Sequence, residues 1–290
     1  MGMREQIVKA ILAKGGRTDL TTPGYHGTTR TFRGFENQPV KDSYMIDRAL
    51  GTHVAADPAL ASSFPEKAIQ TDKSPWGLND LRVTGEPQML PVMIPHESKF
   101  LQAAQPRYSG REAAEPNWRH VLSDQTAIEQ MAAEKAYLQN PEILERYLMQ
   151  ARNLPAQEAI PAARSLVRGD TVRSEGLDMD LARFVKNYGG KPYNDADRQA
   201  VVDLAREAWE KEGHKGIRYV NTAPMEAGAP GVKDPTSYIV FRPENIRSRF
   251  AAFDPAKAGS SDLLAGIAGL SAVPFGIGSA YDQSKYEVPR

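Results

Sequence analysis

GYHGTTRTFRGF, residues 24–35, sets a histidine, a glycine and a hydroxyl side by side in a stretch that reads as a buried strand opening into a loop. Alone, Tyr25-His26-Gly27-Thr28 reads first as a turn around a hydrogen-bonded histidine, because so short a motif carries little information. Two later stretches raise its weight. GTHVAADPALASSF, residues 51–64, reads as a short strand running into a helix, with Asp57 able to cap that helix and Pro58 suited to its first position. SYIVFRPENI, residues 237–246, is the most strand-like run in the chain, since Tyr238 to Phe241 are all β-branched or aromatic.

In this order the three stretches resemble the diphtheria-toxin-like ADP-ribosyltransferases. That superfamily includes the poly(ADP-ribose) polymerases and the ADP-ribosyltransferase domains of phage polyvalent proteins. Its pattern is His-Gly-Thr/Ser on a first strand, Gly-x-Tyr-Phe followed by a second aromatic, and Glu-Tyr-Ile-Val-Tyr on a late strand. Here the first part is His26-Gly27-Thr28, and in the second His53 takes the tyrosine position with Phe64 eleven residues later. The third is Tyr238-Ile239-Val240-Phe241, preceded by Ser237 where the family has its catalytic glutamate. The phage-type domains are also similar in the wording of Ile239 to Ser248 and of Arg249 to Pro255. The resemblance covers residues 20–100 and 205–255.

The resemblance implies an α+β fold built on a split, mostly antiparallel ADP-ribosyltransferase sheet, with NAD as substrate and no metal. By the family's pattern His26 hydrogen-bonds the adenosine ribose and Gly27 lets its backbone approach the nicotinamide amide. Thr28 supports that strand end or touches the ribose, and Tyr25 belongs to the same NAD-binding segment. His53 and Phe64 would sandwich the nicotinamide ring, since flat rings stack without demanding hydrogen bonds. Ser237 can bond the nicotinamide ribose, but it lacks the negative charge that stabilises an oxocarbenium-like carbon. Glu226 is the first candidate for the missing carboxylate, being in the loop before the last strand, and Glu244 is the second. The expected catalytic set is therefore His26, His53 and Glu226. Ala61 stands where polymerase-like relatives carry a serine.

Composition narrows the alternatives. Lys+Arg 36 balance Asp+Glu 36 in 290 residues, so no global field recommends nucleic acid or an anionic membrane. Cysteine is absent, which removes disulfides, thiolate metal sites and thiol nucleophiles and fits a reducing cytoplasm. His26, His53, His96, His120 and His214 show no metal-ligand spacing.

Along the chain, residues 1–100 read as the first half of the transferase domain, opened by a short amphipathic helix that stops at Gly15-Gly16. Met89 to Pro95 reads as a strand near a sheet edge. Residues 101–212 read as a helical insertion of two to three helices, with Ile128, Met131, Ile143, Leu144, Tyr147 and Leu148 at helical spacing and a break at Asn140-Pro141. A further helical face, Val201, Leu204, Ala205, Ala208 and Trp209, starts after Asn194 and stops at Gly213. Residues 213–258 return as the second half of the domain, with strands at 216–221 and 236–242 around a long Gly- and Pro-rich loop. Residues 259–290 form a tail in which Leu263 to Tyr281 lacks charge. Four glycines, two serines and Pro274 thin its apolar density, so a flexible or partner-binding tail is expected ahead of a membrane span.

These readings converge on a mono-ADP-ribosyltransferase of phage or mobile-element origin, working in a bacterial cytoplasm on an unidentified protein or nucleic-acid acceptor. Association with a phage particle fits the same resemblance. The rivals are a protein that keeps the fold for binding or for a place in the virion without transfer, as Ser237 and Ala61 would explain, and an NAD glycohydrolase.

Overall fold

The computed structural model describes residues 19–29, 34–37, 39–40, 46–64, 88–103, 123–151, 153–174, 177–188, 194–221 and 230–249. The expected helix at the N-terminus, Glu226 and the tail at 259–290 lie outside the described residues.

The fold is α+β. Strands β1 (Leu20–Thr28), β2 (Thr52–Ala55), β3 (Gln88–Pro95), β4 (Phe100–Gln102), β7 (Gly216–Val220), β8 (Thr236–Val240) and β9 (Arg247–Ser248) form a seven-stranded sheet. Two short strands, β5 (Val172–Ser174) and β6 (Leu177–Met179), pair separately as a hairpin. The order in the large sheet is β4-β7-β8-β2-β1-β3-β9. All its neighbours are antiparallel except β4 and β7. The three motif stretches thus occupy three adjacent strands, β1, β2 and β8.

The sheet has a seam. β1 lies along β3 from Leu20↔Pro95 to Thr28↔Gln88, and β2 lies along β8 from Thr52↔Val240 to Ala55↔Ser237. Between those halves β1 and β2 share one register pair, Tyr25↔Ala55. Gly24 is what allows the approach, because a Cβ there would stand 2.4 Å from Val54 Cγ1. The two halves enclose a core of Phe35, Val54, Val92, Ile94, Phe100, Tyr238, Val240 and Ile246.

Alternation along β8 explains the second core. Tyr238 and Val240 face the inner layer just named, whereas Ile239 and Phe241 join the helical side. That side is covered by α1 (Ile46–Leu50), α3 (Ser123–Gln139), α4 (Pro141–Ala151), α5 (Ala156–Val167), α6 (Leu181–Tyr188) and α7 (Asp195–Lys211); the short helix α2 (58–64) follows β2. Their apolar faces, including Ile128, Tyr137, Leu144, Leu148, Phe184, Val201 and Trp209, share one core with Ile217, Tyr219 and Ile239 of the sheet. Each large side chain of this kind removed from water contributes about 1.5–3 kcal/mol.

Among the described residues five helices, α3 to α7, lie between 123 and 211, where the sequence suggested two to three. The extra boundaries come from Pro155, before α5, and from the hairpin β5–β6, which separates α5 from α6. α7 begins and ends as its sequence dictates: the Asn194 side chain accepts from the Asp197 amide, and Gly213 takes a φ of 91° as the helix stops. Arg146 of α4 donates to Asp197 Oδ1 at 2.6 Å and 3.0 Å, tying α4 to the first turn of α7.

Candidate functional site

His26 lies on β1, half-buried, with its ring set edge-on against Phe35 at 4.9 Å between centroids. Its Nδ1 is 2.8 Å from the backbone carbonyl of His53, across the seam. Burial pushes the His26 pKa down to about 4; the bond to the His53 carbonyl opposes that shift, and the nearby His53 ring adds to it. The ring is therefore neutral at neutral pH. A carbonyl can only accept, so Nδ1 carries the proton and Nε2 is an acceptor.

His53, on β2, points to the helical side of the sheet. Its Nδ1 is 3.1 Å from the Tyr219 hydroxyl, and its Nε2 is 3.3 Å from the Asp47 carbonyl and 3.7 Å from Asp47 Oδ2. With carbonyl and carboxylate both near Nε2, that nitrogen is the donor, which leaves Nδ1 to accept the Tyr219 O–H. The His53 side chain is 26% exposed, whereas that of Asp47 is 1% exposed. Among the described residues Asp47 Oδ1 has no hydrogen-bond partner.

Ser237 occupies the same face. It pairs across the ladder with Ala55 of β2 and with Tyr219 of β7. The residue is 1% exposed and its Oγ has no hydrogen-bond partner among the described residues. Buried polar atoms without partners cost about 1–3 kcal/mol each, and Asp47 Oδ1 and Ser237 Oγ both lie on this side of the sheet.

Phe64 has different neighbours. It is partly buried on α2 and packs, with Tyr25 and Val232, around Ala55, Leu60 and Ala61. His53 and Phe64 are thus held by separate contact sets, His53 by Tyr219 and Asp47 and Phe64 by the cluster around Ala55. Tyr25 also receives a hydrogen bond from Arg249 Nη1 at 3.4 Å. Gly27 and Thr28 complete β1 opposite Met89 and Gln88. Glu244 lies in the 3-10 turn Pro243–Asn245, beyond the end of β8 remote from Ser237.

Asp57 does more than cap α2. Its Oδ1 accepts from the Ala59 amide at 2.8 Å, and its Oδ2 accepts from the amides of Lys233 and Asp234 at 3.0 Å and 3.3 Å. Burial works against the charge, but the amides of Lys233, Ala59, Asp234 and Leu60 outweigh it and hold the carboxyl below its ordinary range. One carboxylate therefore fixes both the helix after β2 and the segment that leads into Ser237.

Sequence reasoning found β1, β2, β3, β7 and β8 but not the short strands β4, β5, β6 and β9, and it missed two members of the site. Asp47 stands six residues before His53 in a stretch without a motif, and Tyr219 is one of several aromatic residues on strands. For Tyr219 a signal existed, because alternation along GIRYVN places it on the same face as Ile217. Among the described residues no group of three or more His, Cys, Asp or Glu could hold a metal ion, and no helix is long and apolar enough to cross a membrane.

Compared with models of protein families, with curated proteins and with solved structures, the chain matches none.

Proposed function

We propose that the chain is a mono-ADP-ribosyltransferase that takes ADP-ribose from NAD and passes it to a macromolecular acceptor, protein or nucleic acid, in a bacterial cytoplasm reached through a phage or mobile element. The observation that carries this reading is the adjacency of β1, β2 and β8: His26, His53 and Ser237 lie on three neighbouring strands, and the His26 ring is bonded to the His53 backbone. That order is what a resemblance to the transferase fold requires, and the split sheet is part of the same reading.

The chemistry follows from the side chains. Loss of nicotinamide leaves positive charge on the ribose carbon, so the site must supply fixed acceptors and exclude water. A neutral His26 with Nε2 as acceptor suits a ribose hydroxyl, and the Gly27 backbone suits the carboxamide. The unpartnered Ser237 Oγ suits the second ribose. His53 stands beside the nicotinamide, and Phe64 borders it from the Ala55 cluster.

One observation favours a second reading, a protein of this fold that binds without transfer: Ser237 brings a hydroxyl, not a carboxylate, to the strand. Incubation of the protein and host lysate with NAD labelled on the adenylate moiety separates the cases. Label on protein or nucleic acid supports transfer. Free ADP-ribose alone supports hydrolysis, and intact NAD refutes transfer and hydrolysis and supports the binding reading.

A further inference from the structure

We propose that Asp47 is the working carboxylate of this site and that it acts through His53 on Tyr219. The inference deepens the transferase reading and rests on it for the reaction.

A carboxylate 1% exposed whose Oδ1 has no hydrogen-bond partner among the described residues is a feature that packing alone would remove, because an unsatisfied buried polar atom is costly. Asp47 is held in place from two sides. The neighbouring Ile46 amide donates to Glu129 of α3 at 3.4 Å, and the Asp47 carbonyl lies 3.3 Å from His53 Nε2. The helical layer, to which the sequence assigned no chemistry, thereby sets the position of this acid.

The hydrogen-bond directions already described make a relay: Tyr219 O–H to His53 Nδ1, and His53 Nε2–H toward Asp47. When an acceptor hydroxyl or water attacks the ribose carbon, a new oxygen–carbon bond forms and the carbon–nitrogen bond to nicotinamide breaks. The electron pair of that bond leaves with nicotinamide, which departs neutral. The nucleophile's proton passes to the Tyr219 oxygen while the Tyr219 proton passes to His53 Nδ1. The imidazolium so formed stands 3.7 Å from Asp47 Oδ2, which stabilises it. Tyr219 is then the catalytic residue and Asp47 a positioning residue. Among the described residues the ionisable groups recorded against His53 are Asp47 from α1, Tyr219 from β7 and the His26 ring of β1 at its carbonyl; opposite it on β8 is Ile239.

The test uses the full-length protein and two readouts. Nitrogen chemical shifts of the His53 imidazole give its tautomer and titration in the wild type, Asp47→Asn and Tyr219→Phe, with circular dichroism as the check on folding. NAD cleavage gives kcat and KM for the same proteins and for Asp47→Glu and Glu226→Gln. The proposal expects the Nε2–H tautomer in the wild type, a lower His53 midpoint in Asp47→Asn, and partial recovery of turnover in Asp47→Glu. It expects kcat to fall about 100-fold in both Asp47→Asn and Tyr219→Phe, with KM within about threefold. A tautomer and midpoint unmoved by Asp47→Asn overturn the coupling. Full turnover in Asp47→Asn beside abolished turnover in Glu226→Gln overturns the assignment of the acid. A wild type that leaves NAD intact overturns the transferase reading and the relay's reaction with it, while the imidazole shifts still decide the coupling.

Discussion

Replacing Asp57 separates two tasks that one carboxylate performs. Asp57→Ala removes the cap on Ala59 and the acceptor for the Lys233 and Asp234 amides. Loss of the cap costs about 1 kcal/mol. The two loop amides, once without an acceptor, add about 1 kcal/mol each. The sum of about 3 kcal/mol corresponds to a fall in melting temperature of roughly 6–12 °C for a domain of this size. Asp57→Asn is the sharper test. Its Oδ1 can still accept from Ala59, but its amino group faces the two loop amides, so about 2 kcal/mol and roughly 4–8 °C should be lost. Because the folded carboxyl is held below its ordinary range, its contribution is present above that range and disappears as pH falls through the folded pKa. The gap between wild type and Asp57→Asn, followed by thermal circular dichroism, should therefore close on acidification. An Asp57→Asn protein that melts within about 2 °C of the wild type at neutral pH would refute the reasoning.

Three further outcomes follow from the seam and the helical layer. The unfolded chain protonates His26 near the ordinary histidine value and the folded chain only at about 4, so stability should fall as pH drops between those values, by about 1–2 kcal/mol between pH 7 and pH 5; His26→Gln should flatten that slope in urea titrations. Gly24→Ala should cost about 1–3 kcal/mol by collision with Val54, and Val54→Ala in the same chain should relieve part of it, a coupling that a double-mutant cycle measures. Arg146→Met should cost about 2 kcal/mol by stranding Asp197, whose carboxyl Arg146 holds below its ordinary range against the effect of burial, and the loss should shrink in acid as Asp197 takes up a proton. Equal urea midpoints for Arg146→Met and wild type at neutral pH would contradict it.

What the sequence reveals of this fold is what local chemistry decides. The β2–α2 junction is written in Asp57-Pro58, α7 in Asn194 and Gly213, and β8 in an uninterrupted run of strand formers. The strand order is written nowhere locally. The parallel contact of β4 with β7 joins residues 100–102 to 216–218 across the helical segment, and only a shared core makes that pairing pay. The same distinction governs the site. Histidines 26 and 53 stand in recognisable words, whereas Asp47 and Tyr219 matter only through the register that sets Tyr219 opposite Ser237 and through the turn that lays α1 against His53. The second task of Asp57 spans 176 residues, so no window on the sequence could disclose it.

The seam between β1 and β2 gives the molecule a built-in joint. A register pair and an imidazole–carbonyl bond join the halves there, with an inner core of side chains acting as the bearing. A molecule that bonds the His26 ring at the seam fastens that joint from outside. Its occupancy should then be felt as slower deuterium uptake along both halves at once, so that the strength of the grip and the stiffness of the whole sheet become a single measurable quantity.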